Sequence, residues 1–266
     1  MPIAPNDFVH LHLHSEFSLL DGLGRINDIV SEASAHGFDA LAITDHGSLY
    51  GAIAFYQACK KKQIKPIIGV EAYVARKSMY DREGRSEQNY THITLWAQDR
   101  TGSQNLCRII TEAHLDGYYY KPRLDRELLS KYSQGILAGS ACLGGEVAKL
   151  LEVDDFENAR RVVGEYRDIL GPDGFWLEMM DHGLAEQKAL NPKLLRLSQE
   201  TGAGVIATHD LHYVRRDQHE AHDVLLCIGT GNNLDTPGRL KFETEEFYLL
   251  SLIHISEPTR LGMLSR

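Results

Sequence analysis

The sequence predicts an α/β fold with a parallel sheet. Short apolar runs of strand character alternate with amphipathic helical patterns about seven times, as in strands joined by helical crossovers. The chain has 266 residues, 43% hydrophobic and 24% charged, which is enough apolar material for one large core. An open doubly wound sheet and a closed barrel produce the same alternation, so the periodicity leaves both open.

The predicted elements follow from apolar periodicity and from the residues that end each run. Strands are predicted at Phe8–Leu13, Ala40–Thr44, Pro66–Val74, His92–Ala97, Gly135–Ala138, Phe175–Met179 and Gly204–Ala207. Helices are predicted at Ile26–His36, Ser48–Lys62, Ser103–Leu115, Glu146–Leu151, Phe156–Leu170, Leu184–Thr201 and His219–Cys227. The polar stretches Ala75–Asn89 and Gly117–Arg126 are predicted to be loops.

The composition excludes some function classes. No apolar run reaches the ~18 residues of a membrane span, and MPIAPNDFVH lacks the pattern of a secretory signal. We therefore expect a cytoplasmic protein with no membrane partner. The net charge of −9 argues against gripping nucleic acid through bulk positive charge, although bound cations would supply a local positive field. The four cysteines form no CxxC pair, which predicts reduced thiols rather than a disulfide framework.

Residue types that bind metals recur at the ends of the predicted strands, where parallel α/β folds place their active sites. They are His12, His14, Asp21, His46, Glu71, His92, Cys142, Asp210 and His212. His12 and His14 are two residues apart, which puts both imidazoles on one face of a strand. Imidazole, carboxylate and thiolate together suit Zn, Mn or Fe better than Ca or Mg. Nine candidate ligands are too many for one ion and indicate a cluster of two or three.

Each of these residues also has a simpler interpretation when taken alone. HLHLH is also typical of an exposed strand face, and His46 could cap the following helix. Cys142 could be a small buried apolar residue. Only the repetition of ligand types at strand ends favours a metal centre.

Four motifs in this order resemble those of the PHP (polymerase and histidinol phosphatase) domain: HLHLHS, AITDHGS, GVEAYV and ATHDLHY. The flanking stretches HSEFSLLDGLGRI, GSLYGAIAFYQACKKKQIKPIIGVEAYV, GYYYKPRLD and SACLGGEV are most similar to the PHP domain at the N-terminus of bacterial replicative DNA polymerase III alpha subunits. The resemblance covers residues 7–250. It implies a distorted (β/α)7 TIM-like barrel with a trinuclear metal site at the C-terminal mouth.

The resemblance also implies how the ligands are shared among three divalent ions of Zn, Mn or Fe. His12, His14, Glu71 and Asp210 would hold one metal. Glu71 would bridge to a second metal, held also by His92 and Cys142, and Asp21, His46 and His212 would hold the third. His209 departs from the family pattern, which commonly has Asn there, and it could add a supporting or competing ligand.

The implied activity is metal-dependent phosphoester hydrolysis, acting as a 3′→5′ exonuclease on single-stranded or mismatched DNA ends, with Glu71, His14 and Asp210 as the catalytic residues. Removal of pyrophosphate is an alternative role. A metal-binding structural or docking module without catalysis is the rival from another class, and a free-standing histidinol phosphatase fits the flanks less well. The implied partners are DNA, the rest of the polymerase alpha subunit and other replicase subunits.

Two further segments carry expectations. Tyr118–Tyr120, Lys121 and Arg123 interleave aromatic rings with cations, which suits either base stacking with phosphate contact or packing against the rest of a polymerase. Residues 251–266 read SLIHISEPTRLGMLSR, which does not continue the family pattern, and we interpret them as an artefact of a truncated chain. A chain of this kind lacks the polymerase palm and is not expected to polymerise DNA by itself.

Overall fold

The computed structural model describes residues 8–83 and 90–251. Its helices are α1 (Ile26–Ala35), α2 (Ala52–Lys61), α3 (Arg100–Leu115), α4 (Arg126–Lys131), α5 (Glu146–Glu152), α6 (Phe156–Leu170), α7 (Ala185–Thr201) and α8 (His219–Thr230). Its strands are β1 (Ala40–Ile43), β2 (Lys65–Ala75), β3 (Tyr90–Ala97), β4 (Tyr118–Tyr119), β5 (Lys121–Leu124), β6 (Ile136–Gly139), β7 (Phe175–Met179) and β8 (Gly204–Ala207). Of residues 251–266, which do not continue the family pattern, only Ser251 lies within the described residues.

The strands form one mixed sheet that curls into a distorted barrel. Their order is β4-β5-β2-β3-β6-β7-β8, and β1 pairs with the first half of β2. The extended chain at residues 10–14 closes the circle. Its carbonyls accept the backbone N–H groups of Ala42 and Thr44 on the β1 side, and His14 N–H donates to the carbonyl of Leu211, beyond β8. This is the distorted barrel that the family resemblance implies.

The predicted first strand at Phe8–Leu13 is wrong. Within this segment the chain is extended, but it forms only an isolated bridge, between Leu13 and Leu211. The reason is local: the Leu13 N–H donates to the hydroxyl of Thr44 instead of to a backbone carbonyl, which interrupts the ladder. His12 and His14 still leave this segment side by side, with ring centroids 5.3 Å apart.

The prediction of a parallel arrangement throughout is also wrong, because β3 runs antiparallel to both β2 and β6. The stretch between β2 and β3 is polar and has no amphipathic pattern, so it offers no helix for a parallel crossover. The antiparallel return matters for the site. It brings the first residues of β3 to the edge where β2 ends, and His92 pairs there with Tyr73.

The predicted loop at Gly117–Arg126 contains a tight hairpin, so this prediction is corrected too. β4 and β5 pair antiparallel, and Tyr120 forms the turn between them with φ +61°. β5 also pairs in parallel with β2 through Arg123 and Leu124. The strand forms because Leu124 and Arg123 are both buried.

The hydrophobic core has two main parts, one on each side of the site. The larger packs β2, β3, β6 and β7 against α3, α5, α6 and α7. The smaller packs α1, α2 and β1 around Leu13 and Leu211. Aspartate side chains begin three of the outer helices by accepting backbone N–H groups: Asp99 for α3, Asp125 for α4 and Asp155 for α6.

Arg123 is structural rather than a phosphate ligand, contrary to one of the sequence interpretations. It is 1% exposed, and its guanidinium donates to the backbone carbonyls of Gly117, Met79 and Asp81. Arg123→Ala is expected to lower the free energy of unfolding by about 3 kcal/mol, because a large buried side chain is removed together with its hydrogen bonds to three backbone carbonyls, and a cavity opens. Chemical denaturation checks this prediction, with the exposed Arg161→Ala as the control that should stay close to the wild type. Equal stabilities of Arg123→Ala and the wild type would contradict it.

Candidate metal centre

The nine sequence-predicted ligand residues lie together at the barrel mouth. They come from the 10–14 segment and the loop after it, from the chain after β1, β6 and β8, and from β2 and β3. Their donor atoms form three overlapping groups around Glu71 and His14. Which of these residues share a metal ion stays a prediction. The side chains are close enough together to bind ions jointly.

The first group surrounds the imidazoles of the HLHLH motif. His12 Nε2 lies 3.4 Å from Glu71 Oε1 and 3.3 Å from Asp210 Oδ1. His14 Nε2 lies 3.1 Å from the same Asp210 oxygen and 3.5 Å from Glu71 Oε2. Two imidazoles and two carboxylates therefore face one point. Asp210 is held with φ +44°, a sparsely populated conformation for a residue with a side chain.

The second group lies toward the opening. Asp21 Oδ2 is 2.7 Å from His46 Nε2 and 3.2 Å from His212 Nε2. The ring of His14 stacks on that of His212, with centroids 4.4 Å apart. His14, Asp21, His46 and His212 are mutually close enough to hold one ion.

The third group is centred on the two carboxylate oxygens of Glu71. His92 Nδ1 is 3.0 Å from Oε1, and Cys142 Sγ is 3.5 Å from the same atom. His46 Nδ1 is 2.7 Å from Oε2, so His46 reaches two groups with its two ring nitrogens. One neutral imidazole binds one ion, so His46 belongs either with Asp21 or with Glu71.

Buried polar atoms without hydrogen-bond partners indicate that the residues fit a metal. His12 Nε2, His14 Nε2, His46 Nδ1, Glu71 Oε2 and Asp210 Oδ1 are all buried and make no hydrogen bond of acceptable geometry. Leaving such atoms unsatisfied is costly unless something else binds them. Imidazole and carboxylate donors converging in this way match the ligand preferences of Zn, Mn and Fe.

The protonation pattern points the same way. Burial, with His46 and His212 nearby, lowers the pKa of His14 to about 3, so His14 is neutral and has a free lone pair. Burial opposes a charge on His46, but Glu71 and Asp21 on either side outweigh it and raise the pKa of His46 to about 10. In the absence of metal, an imidazolium thus sits between two carboxylates at a place where a metal cation would fit.

Cys142 behaves differently from the imidazoles. Burial and the nearby carboxylates of Glu71 and Asp210 raise the pKa of the Cys142 thiol well above its usual value. Binding a cation there requires the thiolate and therefore releases a proton. Gly144 N–H already donates to Sγ at 3.4 Å, which favours the thiolate.

Glu178, on β7, orients His12. Its Oε2 accepts from His12 Nδ1 at 2.9 Å, so that Nε2 faces the site. Ala141 N–H and the Thr208 hydroxyl hold the same carboxylate. A side chain on Gly139 would place its Cβ 2.2 Å from Glu178 Oε1, so only glycine allows this approach. Glu178 therefore supports a proposed metal ligand.

Ser18 and Asp45 orient His14, and sequence reasoning missed both. The Ser18 hydroxyl donates to Asp45 Oδ1 at 2.7 Å and so can accept from His14 Nδ1–H at 2.9 Å. This assignment fixes the tautomer that directs His14 Nε2 inward. The signal was present in HSEFS, where Ser18 follows His14 by four residues, but its link to Asp45 spans 27 residues.

Three other polar residues near the site lie outside the metal-binding groups. His182 is fully buried, and its ring donates from Nε2 to the carbonyl of His209 and accepts at Nδ1 from the Gln187 amide. His209 is also buried, and its ring packs against those of His182 and His10. The Asp181 carboxylate accepts the N–H of Gly183 in a turn. We therefore assign them no ligand role.

The metal-binding groups open onto a cleft of about 540 Å³. Asp21, His46 and His92 lie in its wall, together with the rings of Tyr73 and Tyr90. The cleft has the size of a pocket for a small ligand or a chain end. The lysines at positions 60–62 and 65 do not line it and are exposed to solvent.

Glu178→Gln is expected to weaken metal binding about tenfold or more, because removing the charge behind a ligating histidine lowers the basicity of that histidine. The neutral amide keeps the size of the side chain. Metal titration by calorimetry checks this, with Glu165→Gln as a matched control on the outer surface of α6. An unchanged dissociation constant for every ion would contradict the orienting role.

Comparisons with known proteins agree with the fold. A family model described as the PHP domain matches residues 10–182. DNA polymerase III subunit alpha of Borreliella burgdorferi is 42% identical over 246 residues, covering 92% of this chain and 21% of that protein. The Thermus aquaticus subunit is 44% identical over 247 residues, covering 91% of this chain and 20% of that protein. The chain thus spans about a fifth of the length of these relatives.

Two structural findings complete the comparison. An amidohydrolase from Chromobacterium violaceum, with bound SO4 and no metal, has a TM-score of 0.50 at 17% identity, covering 77% of this chain and 87% of that one, and shows the fold alone. Within residues 8–83 and 90–251, no helix is long and apolar enough to cross a membrane. From the family match and the fold, the chain belongs to the PHP domain family.

Proposed function

We propose that this chain is a multinuclear metal-dependent phosphoesterase domain that shortens DNA from the 3′ end, and that it belongs to a DNA polymerase III alpha subunit in the cytoplasm. The observation that carries the proposal is the convergence of nine ligand-type side chains beside an open cleft, five of whose buried nitrogen and oxygen atoms make no hydrogen bond. The similarity to polymerase alpha subunits supplies DNA as the substrate class.

In the proposed reaction the residues divide into three tasks. Three divalent ions of Zn, Mn or Fe would be held by the nine ligands, and when bound they supply an activated water and neutralise charge on the phosphoryl oxygens. Glu71 would contribute to two of the ion sites. His14 and Asp210 would hold another site together with His12, and their nitrogen and oxygen atoms face one point. Glu178 fixes the orientation of the His12 ring, and Ser18 fixes that of the His14 ring.

The test uses the full chain on single-stranded DNA labelled at its 5′ end. Metal-free protein is expected to be inactive, and addition of Mn or Zn is expected to give a ladder of products shortened from the 3′ end. Inorganic pyrophosphate in a parallel reaction distinguishes the pyrophosphatase alternative. Hydrolysis that continues unchanged in excess chelator would contradict the proposal.

The structural alternative rests on one specific observation. The proposed ligands His12, His14 and Glu71 are at most 1% exposed, so a metal there would also hold the barrel together. Bound metal without turnover of DNA, pyrophosphate or a small phosphodiester would favour this structural or docking role within the polymerase subunit and its assembly.

A further inference from the structure

The cleft beside the metal-binding groups has an aromatic rim. Tyr50, Tyr118 and Tyr120 line it and are 63%, 53% and 57% exposed. Large aromatic side chains exposed together at the mouth of one cleft are a feature of binding surfaces. Each ring presents a flat π-face that a nucleobase could cover, beside ligands that face the same space.

The backbone of Tyr120 is in a strained conformation, so holding this ring at the rim costs conformational energy. Tyr120 forms the turn between β4 and β5 with φ +61°, a conformation that glycine adopts without strain. Its ring meets the ring of Tyr119 edge-on, with centroids 4.6 Å apart, which holds it at the rim. Strained residues that keep a large side chain concentrate at functional sites.

The charges around the cleft favour stacking over bulk electrostatic attraction. Within the described part of the chain, Lys121 is the only lysine or arginine that lines the cleft. Its Nζ lies 5.2 Å from the centre of the Tyr73 ring, and Tyr73 stacks on His46 at 6.0 Å. Lys121 is thus one aromatic ring away from a proposed metal ligand, a position suited to a phosphate next to the one being cleaved.

We propose that Tyr50, Tyr118 and Tyr120 form a stacking platform for the unpaired bases of a single-stranded nucleic acid whose end lies at the metal centre. Lys121 would contact a phosphate of that strand. This rests on the proposed function and specifies how its substrate is recognised. Stacking tolerates every base, so the platform selects unpaired strands rather than a sequence.

The experiment measures binding separately from hydrolysis. The metal-loaded full chain is titrated by fluorescence anisotropy with a labelled oligonucleotide protected by phosphorothioates at its terminal linkages, and with the same strand lacking its 3′-terminal bases. Stacking on one ring is worth about 1–3 kcal/mol per base, or roughly 5- to 150-fold in affinity. The wild type is therefore expected to bind the complete strand at least about fivefold more tightly than the abasic strand.

The variants Tyr118→Ala and Tyr120→Gly are expected to lose most of that difference, and Tyr56→Ala, exposed on α2 outside the cleft, to keep it. Tyr120→Gly is the sharper variant, because glycine adopts the turn without strain; its melting temperature should not fall below the wild-type value, and its metal content should equal that of the wild type. A ribo-oligonucleotide of the same sequence should show the same loss, since the platform contacts bases rather than sugars.

Equal binding of complete and abasic strands by the wild type, no binding of either, or variants that keep the difference would each overturn the platform. Hydrolysis of a small phosphodiester by the wild type is measured in parallel. That reaction tests the proposed function by itself, so the two proposals can fail independently.

Discussion

Glu71→Gln is expected to reduce phosphodiester hydrolysis by more than about 100-fold and to remove most of the bound metal. Residues that only support metal ligands are worth about 10- to 100-fold, and Glu71 is the carboxylate that two of the ligand groups share. Its side chain is 1% exposed and faces His12, His46 and His92. The amide keeps the volume but removes the charge and one oxygen donor.

The charge state of Glu71 explains the size of the effect. Although burial opposes its ionisation, the imidazoles of His92, His46 and His12 hold the pKa of Glu71 well below its usual value, so it is a carboxylate at neutral pH. Kinetics on a small phosphodiester, with metal content measured on the same sample, check the prediction. Glu157→Gln, an exposed change on α6, should match the wild type. Full activity in Glu71→Gln would remove Glu71 from the centre.

Removal of metal by a chelator is expected to lower the melting temperature by about 10 °C. A ligand present at 1,000 times its dissociation constant stabilises a fold by about 4 kcal/mol, and for a domain of this size each kcal/mol corresponds to roughly 2–4 °C. Without metal, the barrel must hold five buried donor atoms that lack hydrogen-bond partners. Differential scanning calorimetry of metal-loaded and stripped protein makes the measurement.

The control for this prediction is the variant that cannot bind metal well. Glu71→Gln should melt at nearly the same temperature with and without chelator, because it has little metal to lose. Superimposable melting curves for loaded and stripped wild-type protein would show that the ions, if bound, make no contribution to folding.

The proposed metal ligands were predictable from the sequence, whereas the residues that orient them through hydrogen bonds were not. His12 and His14 were predictable because a spacing of two residues puts both on one face even of an irregular extended chain. His92 reached the site for a reason that the sequence did not show: β3 is antiparallel, so its beginning meets the end of β2. Glu178 and Asp45 act through hydrogen bonds across 166 and 27 residues, which no local pattern reveals.

The elements of the fold also divide into those that local sequence patterns predict and those that they do not. Helices such as α6 and α7 were predictable from apolar periodicity within about a turn. The choice between an open sheet and a barrel was not predictable, because closure depends on a few isolated backbone hydrogen bonds by which residues 10–14 join β1 to Leu211. The hairpin around Tyr120 was also missed, since its polar residues have the composition of a loop and it is the pairing of β5 with β2 that makes it a strand.

Metal content per chain, measured by elemental analysis after dialysis against Mn or Zn, tests the central claim most directly. A multinuclear centre predicts about three ions per chain in the wild type, falling to about one or none in Glu71→Gln, since nine ligands at four to six per ion require sharing. Less than one ion per wild-type chain at saturating metal, or the same content in both proteins, would contradict a shared centre built around Glu71.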